Sequence, residues 1–296
     1  MVRVNVPLCT LGEGPLWHRE TNEFVFTDIV NGILYAWNPK THACRILLDS
    51  RFQLGAFLFD RQGDLILFTE CGVYACSYEM EGRKLDLLYS VDMAPGERFN
   101  DAICDPLGRM IAGTKTDTNE NGSLYLFEHG KSPRRLMEGL HISNGMGFSC
   151  DGTIFYHTDS GKRSIYRYYY DLSTGTLSSP TVFPETEQAA SGDFGDVIWQ
   201  ETAPDAAVPD GMTVDAQGNI WTALWGRGSL LCIDPMQKKL LSSISLPAVQ
   251  ISSLTFGGKD LDLLLVTSAS IGTDGPPNGE IYCLCPEVQG REEYRF

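Results

Sequence analysis

The sequence lacks several features that would place it in common functional classes. No apolar run approaches the length of a membrane span, and the N-terminal stretch MVRVNVPLCTLGEGP contains no apolar core of the kind found in secretory signals. Positive charge is scarce, because 23 Lys and Arg residues stand against 38 Asp and Glu residues, for a formal net charge of -15. This balance disfavours nucleic acid and anionic membrane as partners, whereas it is compatible with a cation site.

Sequence signatures of familiar catalytic centres are also missing. There is no GxSxG motif, no glycine-rich phosphate loop, and no HxH or HExxH pattern among the five histidines. Ser252 has no histidine that the sequence can place beside it, and we interpret His18 and His157 as structural residues. The nine cysteines include no CxxC pair, so we expect free buried thiols and a cytoplasmic protein rather than a zinc site or a disulfide framework.

What the sequence does contain is a repeat that fills the chain. Six hexapeptides follow one pattern, and each runs into a polar turn and then an apolar strand. They are EGPLWH (13–18), GAFLFD (55–60), NDAICD (100–105), NGMGFS (144–149), DGMTVD (210–215) and SSLTFG (252–257). Their first residues are 42, 45, 44, 66 and 42 positions apart. This periodicity indicates a repeat protein.

The fold follows from the length and content of each repeat. Short segments such as 32–37 and 123–127 alternate with period two and are bounded by Gly, Asn, Asp and Pro, which is typical of strands joined by tight turns. No segment has a sustained helical apolar stripe. Repeats of about 40 to 50 residues with several strands are typical of propeller blades. We therefore predict an all-β, six-bladed β-propeller that forms a single domain over residues 1–296.

One interval is longer than the others. The 66 positions between Asn144 and Asp210 exceed the preceding 44 by 22, and the surplus falls in residues 184–209. This segment is acidic and rich in Ala, Gly and Pro, which indicates a loop insertion. It is either a plain surface insertion or a lid over the channel mouth, since it directly precedes Asp210 and carries Phe194 and Trp199.

The first position of each hexapeptide predicts the functional site. Equivalent positions of a closed repeat point at the same axis, and here they are Glu13, Gly55, Asn100, Asn144, Asp210 and Ser252. Two carboxylates and one amide oxygen, from Glu13, Asn144 and Asp210, suit a hard divalent cation such as calcium, with water or substrate completing the shell. A softer metal would favour Cys or His, and neither occurs at these positions.

Arg98 and Asn100 form a second candidate group. They are two residues apart on a predicted strand, so both side chains lie on one face. Together they could hold a polyhydroxylated or carbonyl-bearing ligand. The alternative for Arg98 is an ordinary surface salt bridge.

Five motifs occur in the order and spacing of the regucalcin and gluconolactonase family. They are GEGPLW (12–17), RFND (98–101), ISNG (142–145), PDGM (209–212) and FGG (256–258). The chain therefore resembles this family, also called the senescence marker protein family, from about residue 11 to residue 284. The segments FYHTD (155–159) and WTALWG (221–226) are similar to those of bacterial sugar-acid lactonases such as xylonolactonase.

The resemblance implies a six-bladed propeller that holds one divalent metal ion through Glu13, Asn144 and Asp210. Calcium is the first candidate, with zinc, manganese, magnesium and ferrous iron as alternatives. It also implies that Arg98 and Asn100 contact the substrate. Regucalcin-like members carry a Glu shortly after an Ala-Gly-Thr motif, whereas this chain has Thr118 at the matching position. We take Thr118 as a substrate-binding candidate, and the departure leaves the preferred sugar open.

These expectations combine into one functional hypothesis. The protein is expected to be a metal-dependent hydrolase that opens aldonolactones, such as glucono- or xylonolactone, with Asp210 as both metal ligand and general base. Its expected partner is a small sugar lactone, with no nucleic acid and no membrane, and the oligomeric state is left open. Two alternatives remain: an arylesterase or organophosphate-type propeller hydrolase, and a non-catalytic calcium-binding propeller.

Overall fold

A computed structural model describes residues 1–50, 52–70, 72–79, 84–118, 120–179, 195–202 and 207–296. Within these ranges the chain forms β-strands and no helix, which confirms the all-β prediction. No membrane-spanning helix therefore occurs in the described ranges. The eight cysteines that lie in them are all free thiols.

The strands form six antiparallel sheets, which we call blades and number in chain order. The chain begins with β1 (Val2–Arg3). Blade 1 follows with β2 (Gly12–His18), β3 (Glu23–Asp28), β4 (Ile33–Trp37) and β5 (Cys44–Asp49); blade 2 with β6 (Leu54–Phe59), β7 (Leu65–Thr69), β8 (Gly72–Cys76) and β9 (Asp86–Tyr89); and blade 3 with β10 (Arg98–Cys104), β11 (Met110–Lys115), β12 (Gly122–Phe127) and β13 (Arg134–Leu140).

The second half of the chain repeats this arrangement. Blade 4 contains β14 (Ser143–Phe148), β15 (Ile154–Asp159), β16 (Ser164–Asp171), β17 (Thr176–Ser178) and β18 (Asp196–Gln200); blade 5 contains β19 (Val208–Val214), β20 (Ile220–Trp225), β21 (Ser229–Asp234) and β22 (Lys239–Ser245); and blade 6 contains β23 (Ile251–Gly257), β24 (Leu263–Ser268) and β25 (Tyr282–Leu284), completed by β1. Because β1 pairs with β25, the two ends of the chain share one blade and the ring is closed.

The first strand of each blade lines the centre of the ring. These inner strands are β2, β6, β10, β14, β19 and β23, and each lies next to the inner strands of the two neighbouring blades. They carry the six repeated hexapeptides, so the predicted six-bladed β-propeller is confirmed. One hydrophobic cluster lies at each of the six blade interfaces, for example Phe24, Phe26 and Leu265 between blades 1 and 6.

Every inner strand carries a β-bulge near its start. The residues left without a partner on the second strand are Gly14 and Pro15, Gly55, Asn100, Gly145, Asp210 and Gly211, and Ser252. A bulge bends a strand and changes the direction of the side chain at that point. A Cβ atom at Gly55 would overlap the carbonyl of Phe99, and one at Gly145 would overlap the backbone of Asp210. Glycine is therefore required at these two positions, where neighbouring inner strands approach each other closely.

The insertion between Asn144 and Asp210 contains a strand that its loop-like composition did not predict. β18 pairs with β16, with Trp199 opposite Ile165, and thus lies on the outer side of blade 4. Trp199 is partly buried against the core between blades 4 and 5. Residues 184–194, including Phe194, and 203–206 lie outside the described ranges, and so does this part of the predicted lid.

Residues 289–296, which we call the floor segment, cross the channel at the end where the inner strands finish. Their contacts reach all six blades. Arg295 binds Glu20 of blade 1, Phe296 N donates to Phe59 O of blade 2, the Phe296 ring stacks on His129 of blade 3, Arg291 donates to Ser149 O of blade 4, Ala216 N of blade 5 donates to Gln289 O, and Gly290 N donates to Leu261 O of blade 6. A cavity of about 70 Å³ lies between this segment and the opposite end of the channel.

Candidate functional site

Glu13, Asn144 and Asp210 lie at the same end of the channel, opposite the floor segment. Each is the second or third residue of an inner strand, in blades 1, 4 and 5 respectively. Their exposed fractions are 8%, 6% and 5%, so all three polar side chains are buried. The fold therefore gathers three oxygen-bearing side chains, distant in sequence, at one mouth of the channel.

A hydrogen-bond network fixes the orientation of Asn144. Its Nδ2 donates to Asp210 Oδ1 and, over 3.2 Å, to Ser160 Oγ. The Ser160 hydroxyl in turn donates to Pro209 O over 2.7 Å, which links blade 4 to blade 5. Because the amide nitrogen is used in this way, Asn144 Oδ1 is left as an acceptor that receives no hydrogen bond from any described residue.

Burial, and then the charges of neighbouring carboxyl groups, raise the pKa values of three carboxyl groups in the channel. Burial, and then the charge of Asp101, raise the pKa of Glu13 to about 8. Burial, followed by the charges of Glu13 and Asp101, raises the pKa of Asp210 well above its ordinary value. Burial also raises the pKa of Asp101 to about 7, with a further contribution from Glu293 of the floor segment. Negative charge is thus concentrated where it is poorly solvated, a situation that a bound cation relieves.

The donor set fits a hard divalent cation. Glu13 and Asp210 supply carboxylate oxygens, and the Asn144 amide oxygen has no competing hydrogen bond among the described residues. Oxygen ligands of these kinds are preferred by calcium and magnesium. In the described ranges, His, Cys, Asp and Glu side chains form no group of three that could hold a metal, so the set depends on the contribution of an asparagine.

Arg98 and Asn100 interact directly, as their spacing on one strand face suggests. Arg98 Nη1 donates to Asn100 Oδ1 over 2.9 Å and to Phe99 O over 2.8 Å. Asn100 Nδ2 donates to Ser143 O over 2.9 Å, and Ser143 directly precedes Asn144. Arg98 forms no salt bridge with any residue in the described ranges, so the salt-bridge alternative has no partner there. The pair is joined by hydrogen bonds to the strand that carries Asn144.

Thr118 is not joined to these residues. It lies exposed in the turn after β11, and its hydroxyl is 3.2 Å from Thr116 Oγ1. Within the described part of the chain, no hydrogen bond connects Thr118 with Arg98, Asn100 or Asp210. Its assignment as a substrate-binding residue therefore remains a prediction.

The sequence did not predict one hydrogen-bonded pair, Ser143 and His157, which lies next to Asn144. Ser143 Oγ and His157 Nε2 are 2.8 Å apart, and both side chains are fully buried. Burial lowers the pKa of His157 to about 4, so the imidazole is neutral at neutral pH. A hydroxyl that is inaccessible to substrate cannot act as a nucleophile, and the pair instead fixes β14 to β15 next to Asn144. Only the pairing register, which the sequence does not supply, brings these two residues together.

The family model described as the SMP-30/gluconolactonase/LRE-like region matches residues 11–270 of the chain. The chain belongs to this family. The match spans the inner strands of all six blades, and it includes Glu13, Arg98, Asn100, Asn144 and Asp210. The predicted family is therefore confirmed.

Curated relatives of the family align over most of the chain. Pentonolactonase XacC of Haloferax volcanii is 32% identical, over 100% of this chain and 97% of its own length. A putative sugar lactone lactonase, YvrE, of Bacillus subtilis is 32% identical, over 88% of this chain and 84% of its own. Regucalcin of Danio rerio is 31% identical, over 89% and 84% respectively.

Among solved structures, a calcium-binding protein described as regucalcin, from Agrobacterium tumefaciens, superposes with a TM-score of 0.87. It is 26% identical, and the superposition covers 99% of this chain and 97% of that protein. A gluconolactonase from Xanthomonas campestris superposes with a TM-score of 0.71, over 96% of this chain and 91% of its own. At 20% identity, this second likeness concerns the fold alone.

Proposed function

We propose that the protein is a divalent-metal-dependent lactonase that opens aldonolactones, such as glucono- or xylonolactone, to the free aldonic acid. The observation that carries this proposal is the buried oxygen set of Glu13, Asn144 and Asp210, with the Asn144 amide oxygen left unbonded by the described residues. Membership of the family, and relatives named as a pentonolactonase and a sugar lactone lactonase, support the reaction class.

Glu13, Asn144 and Asp210 would hold the metal ion. Calcium is the first candidate because all donors are oxygens, and zinc, manganese, magnesium and ferrous iron are alternatives. When bound, such an ion polarises the lactone carbonyl and stabilises the negative charge that develops on its oxygen.

Asp210 would act as the general base. In lactone hydrolysis, the oxygen of water bonds to the carbonyl carbon, and the bond from that carbon to the ring oxygen breaks. The Asp210 carboxylate would accept a proton from the attacking water and return it to the departing ring oxygen, so the products are a carboxylic acid and a hydroxyl group. The hydrogen bond from Asn144 Nδ2 holds Asp210 in position for both transfers.

Arg98 and Asn100 would bind the substrate. Arg98 uses Nη1 to hold Asn100, and its other guanidinium nitrogens donate to no described residue. Such donors suit the hydroxyl and ring oxygens of a sugar lactone, because a site built to pair with hydroxyl groups rejects molecules that lack them.

The experiment is a lactone panel read by acid release, after chelation and again after each candidate metal is added back. The proposal requires that chelation abolish the hydrolysis of aldonolactones and that one or more metals restore it. Undiminished turnover by exhaustively chelated protein would refute the metal dependence. An aryl ester and a phosphotriester are included as competing substrates, and faster turnover of either would favour an arylesterase or organophosphate hydrolase. Tight metal binding without turnover of any ester would favour a calcium-binding propeller.

A further inference from the structure

Lys115 lies beside Arg98 at the channel mouth, although no sequence motif drew attention to it. The two residues are direct partners in the antiparallel pairing of β10 with β11. Residues directly opposite each other in such a pair place their side chains on the same face, about 5 Å apart at Cβ. Two cationic side chains therefore share the face that carries Asn100.

The Lys115 ammonium has no partner at contact distance among the residues that the structure describes. The side chain is partly buried, yet Nζ makes no hydrogen bond or ion pair with any described residue. In contrast, Lys84, Lys131 and Lys238 each lie 2.6 to 2.7 Å from a carboxylate. A partly buried ammonium without a partner is unfavourable, and the arrangement is stabilised when a bound anion supplies one.

Charge at the mouth is divided into two sides. On one side lie the carboxyl groups of Glu13 and Asp210, which are only 8% and 5% exposed. On the other side, burial lowers the pKa of Arg98 to about 10, and burial together with Arg98 lowers the pKa of Lys115. The negative charges of Glu13, Asp117 and Glu70 partly oppose this lowering at Arg98, and those of Asp117 and Asp210 oppose it at Lys115. None of these described carboxylates forms an ion pair with either cation.

A divalent ion on Glu13 and Asp210 would balance their two negative charges. Glu13 and Asp210 would then offset the charges of Arg98 and Lys115 less, and Asp117 and Glu70, which form no ion pair with them, would be the remaining nearby negative charges. A neutral sugar lactone supplies no charge that could balance this cationic side. A lactone that carries a free carboxylate would supply one.

We propose that Arg98 and Lys115 form a carboxylate-binding subsite, and that the preferred substrates are lactones with a second, free carboxyl group, the monolactones of sugar diacids. The inference rests on the proposed function and specifies the substrate class of the same site. Arg98 offers guanidinium nitrogens that no described residue occupies, and Lys115 adds a point charge on the same strand face.

The test compares two substrates of equal ring size and stereochemistry: the monolactone of a sugar diacid, and the aldonolactone in which a CH₂OH group replaces the free carboxylate. Values of kcat/KM are measured for the metal-loaded wild type, for Lys115→Met and for Lys131→Met. The last variant is the matched control, since Lys131 pairs with Glu128 in an exposed turn. Because a hydrogen bond to a charged group contributes about 1.5 to 3 kcal/mol, we expect Lys115→Met to lose at least ~10-fold on the diacid lactone and little on the neutral one.

A second readout does not need turnover. Binding of the open sugar diacid and of the matching alditol, which carries no carboxylate, is measured by calorimetry on the metal-free protein, and Lys115→Met is expected to weaken binding of the diacid selectively. Equal losses of affinity for both ligands would overturn the subsite, and so would a higher kcat/KM of the wild type for the neutral lactone. Neither result would contradict the proposed lactonase activity. Failure of the metal-loaded wild type to open either lactone would instead refute the proposed function.

Discussion

Asn144 donates a hydrogen bond to Asp210 across the interface between blades 4 and 5. The two residues are 66 positions apart in the chain, and each is the first residue of its hexapeptide. The bond turns the amide nitrogen of Asn144 toward the carboxylate and the amide oxygen away from it. One asparagine thereby orients the proposed base and leaves its amide oxygen available to the proposed cation.

The role of Asp210 is tested by Asp210→Asn. The replacement keeps the shape of the side chain but removes the carboxylate, and loss of a general base lowers kcat by about 10²-fold to 10⁴-fold. We expect a folded, inactive protein, measured by lactone turnover and by thermal unfolding. Asp260→Asn, which changes an exposed carboxylate between β23 and β24, is the control and is expected to retain activity. Near-normal turnover by folded Asp210→Asn would remove Asp210 from the mechanism.

The raised pKa of Glu13 predicts how the stability of the metal-free protein depends on pH. An unfolded glutamate titrates near 4.5, whereas burial and then Asp101 raise the pKa of Glu13 to about 8 in the folded protein. Between these values the folded state binds more protons than the unfolded state, so the free energy of unfolding falls as pH rises from about 4.5 to about 8. In Glu13→Gln the side chain at position 13 carries no charge, so the variant does not show this fall in the free energy of unfolding.

The measurement is the thermal midpoint of chelated wild type and Glu13→Gln at intervals between pH 5 and pH 9. The advantage of the variant is expected to grow with pH and to level off above about pH 8. Added metal should raise the midpoint of the wild type more than that of the variant, because a ligand stabilises the state that binds it. A difference between the two proteins that stays constant across this pH range would contradict the assignment.

Arg98→Ala tests whether Arg98 recognises substrate oxygens or only supports the site. We expect kcat/KM to fall at least ~10-fold more for a sugar lactone than for a plain aliphatic lactone of the same ring size, because charged donors to hydroxyl groups contribute about 1.5 to 3 kcal/mol. Arg98→Lys keeps the charge without the planar fork of donors, so its kcat/KM for the sugar lactone should lie between those of the wild type and Arg98→Ala. Equal losses on both lactones would mean that Arg98 acts through Asn100, to which it donates over 2.9 Å.

The floor segment is expected to contribute to global stability. Phe296 is 6% exposed, stacks on His129 and belongs to the core between blades 2 and 3. Replacement of a buried Phe by Ala costs about 3 to 5 kcal/mol, so Phe296→Ala should lower the midpoint of denaturant unfolding markedly. Leu241→Ala, at an exposed position on β22, is the control. A midpoint unchanged in Phe296→Ala would show that this end of the chain is not docked in solution.

The repeat made the fold predictable because each blade packs against its neighbours through the same sequence pattern. An apolar hexapeptide followed by a turn specifies an inner strand, and its first residue then lies near the channel axis, as Glu13, Asn144 and Asp210 do. Strand β18 could not be found in this way. It lies inside an acidic insertion and exists as a strand through its pairing with β16, a tertiary contact that overrides the local composition.

The sequence singled out candidate-site residues where they occupy or closely precede the repeated first position, or where they lie in a motif of the family. Lys115 lies on a second strand, and its relation to Arg98 depends on the register of β10 against β11, which the bulge at Asn100 shifts. Glu293 belongs to the floor segment, outside the repeat, and approaches Asp101 from the far end of the channel. Contacts of this kind join residues that are distant in sequence and do not recur with the period of the repeat. The sequence pattern therefore does not predict them.

The position of the floor segment also bears on how the lactone enters the channel and how the acid leaves it. Because the segment crosses the end opposite Glu13 and Asp210, we expect the lactone to enter, and the acid formed from it to leave, through the mouth that carries these two residues. With one shared mouth, a second lactone molecule would enter only after the acid has left, and an acid that returns would occupy the same place. Inhibition by the product should therefore be competitive with the lactone, and release of the acid becomes a step that can limit the rate of turnover.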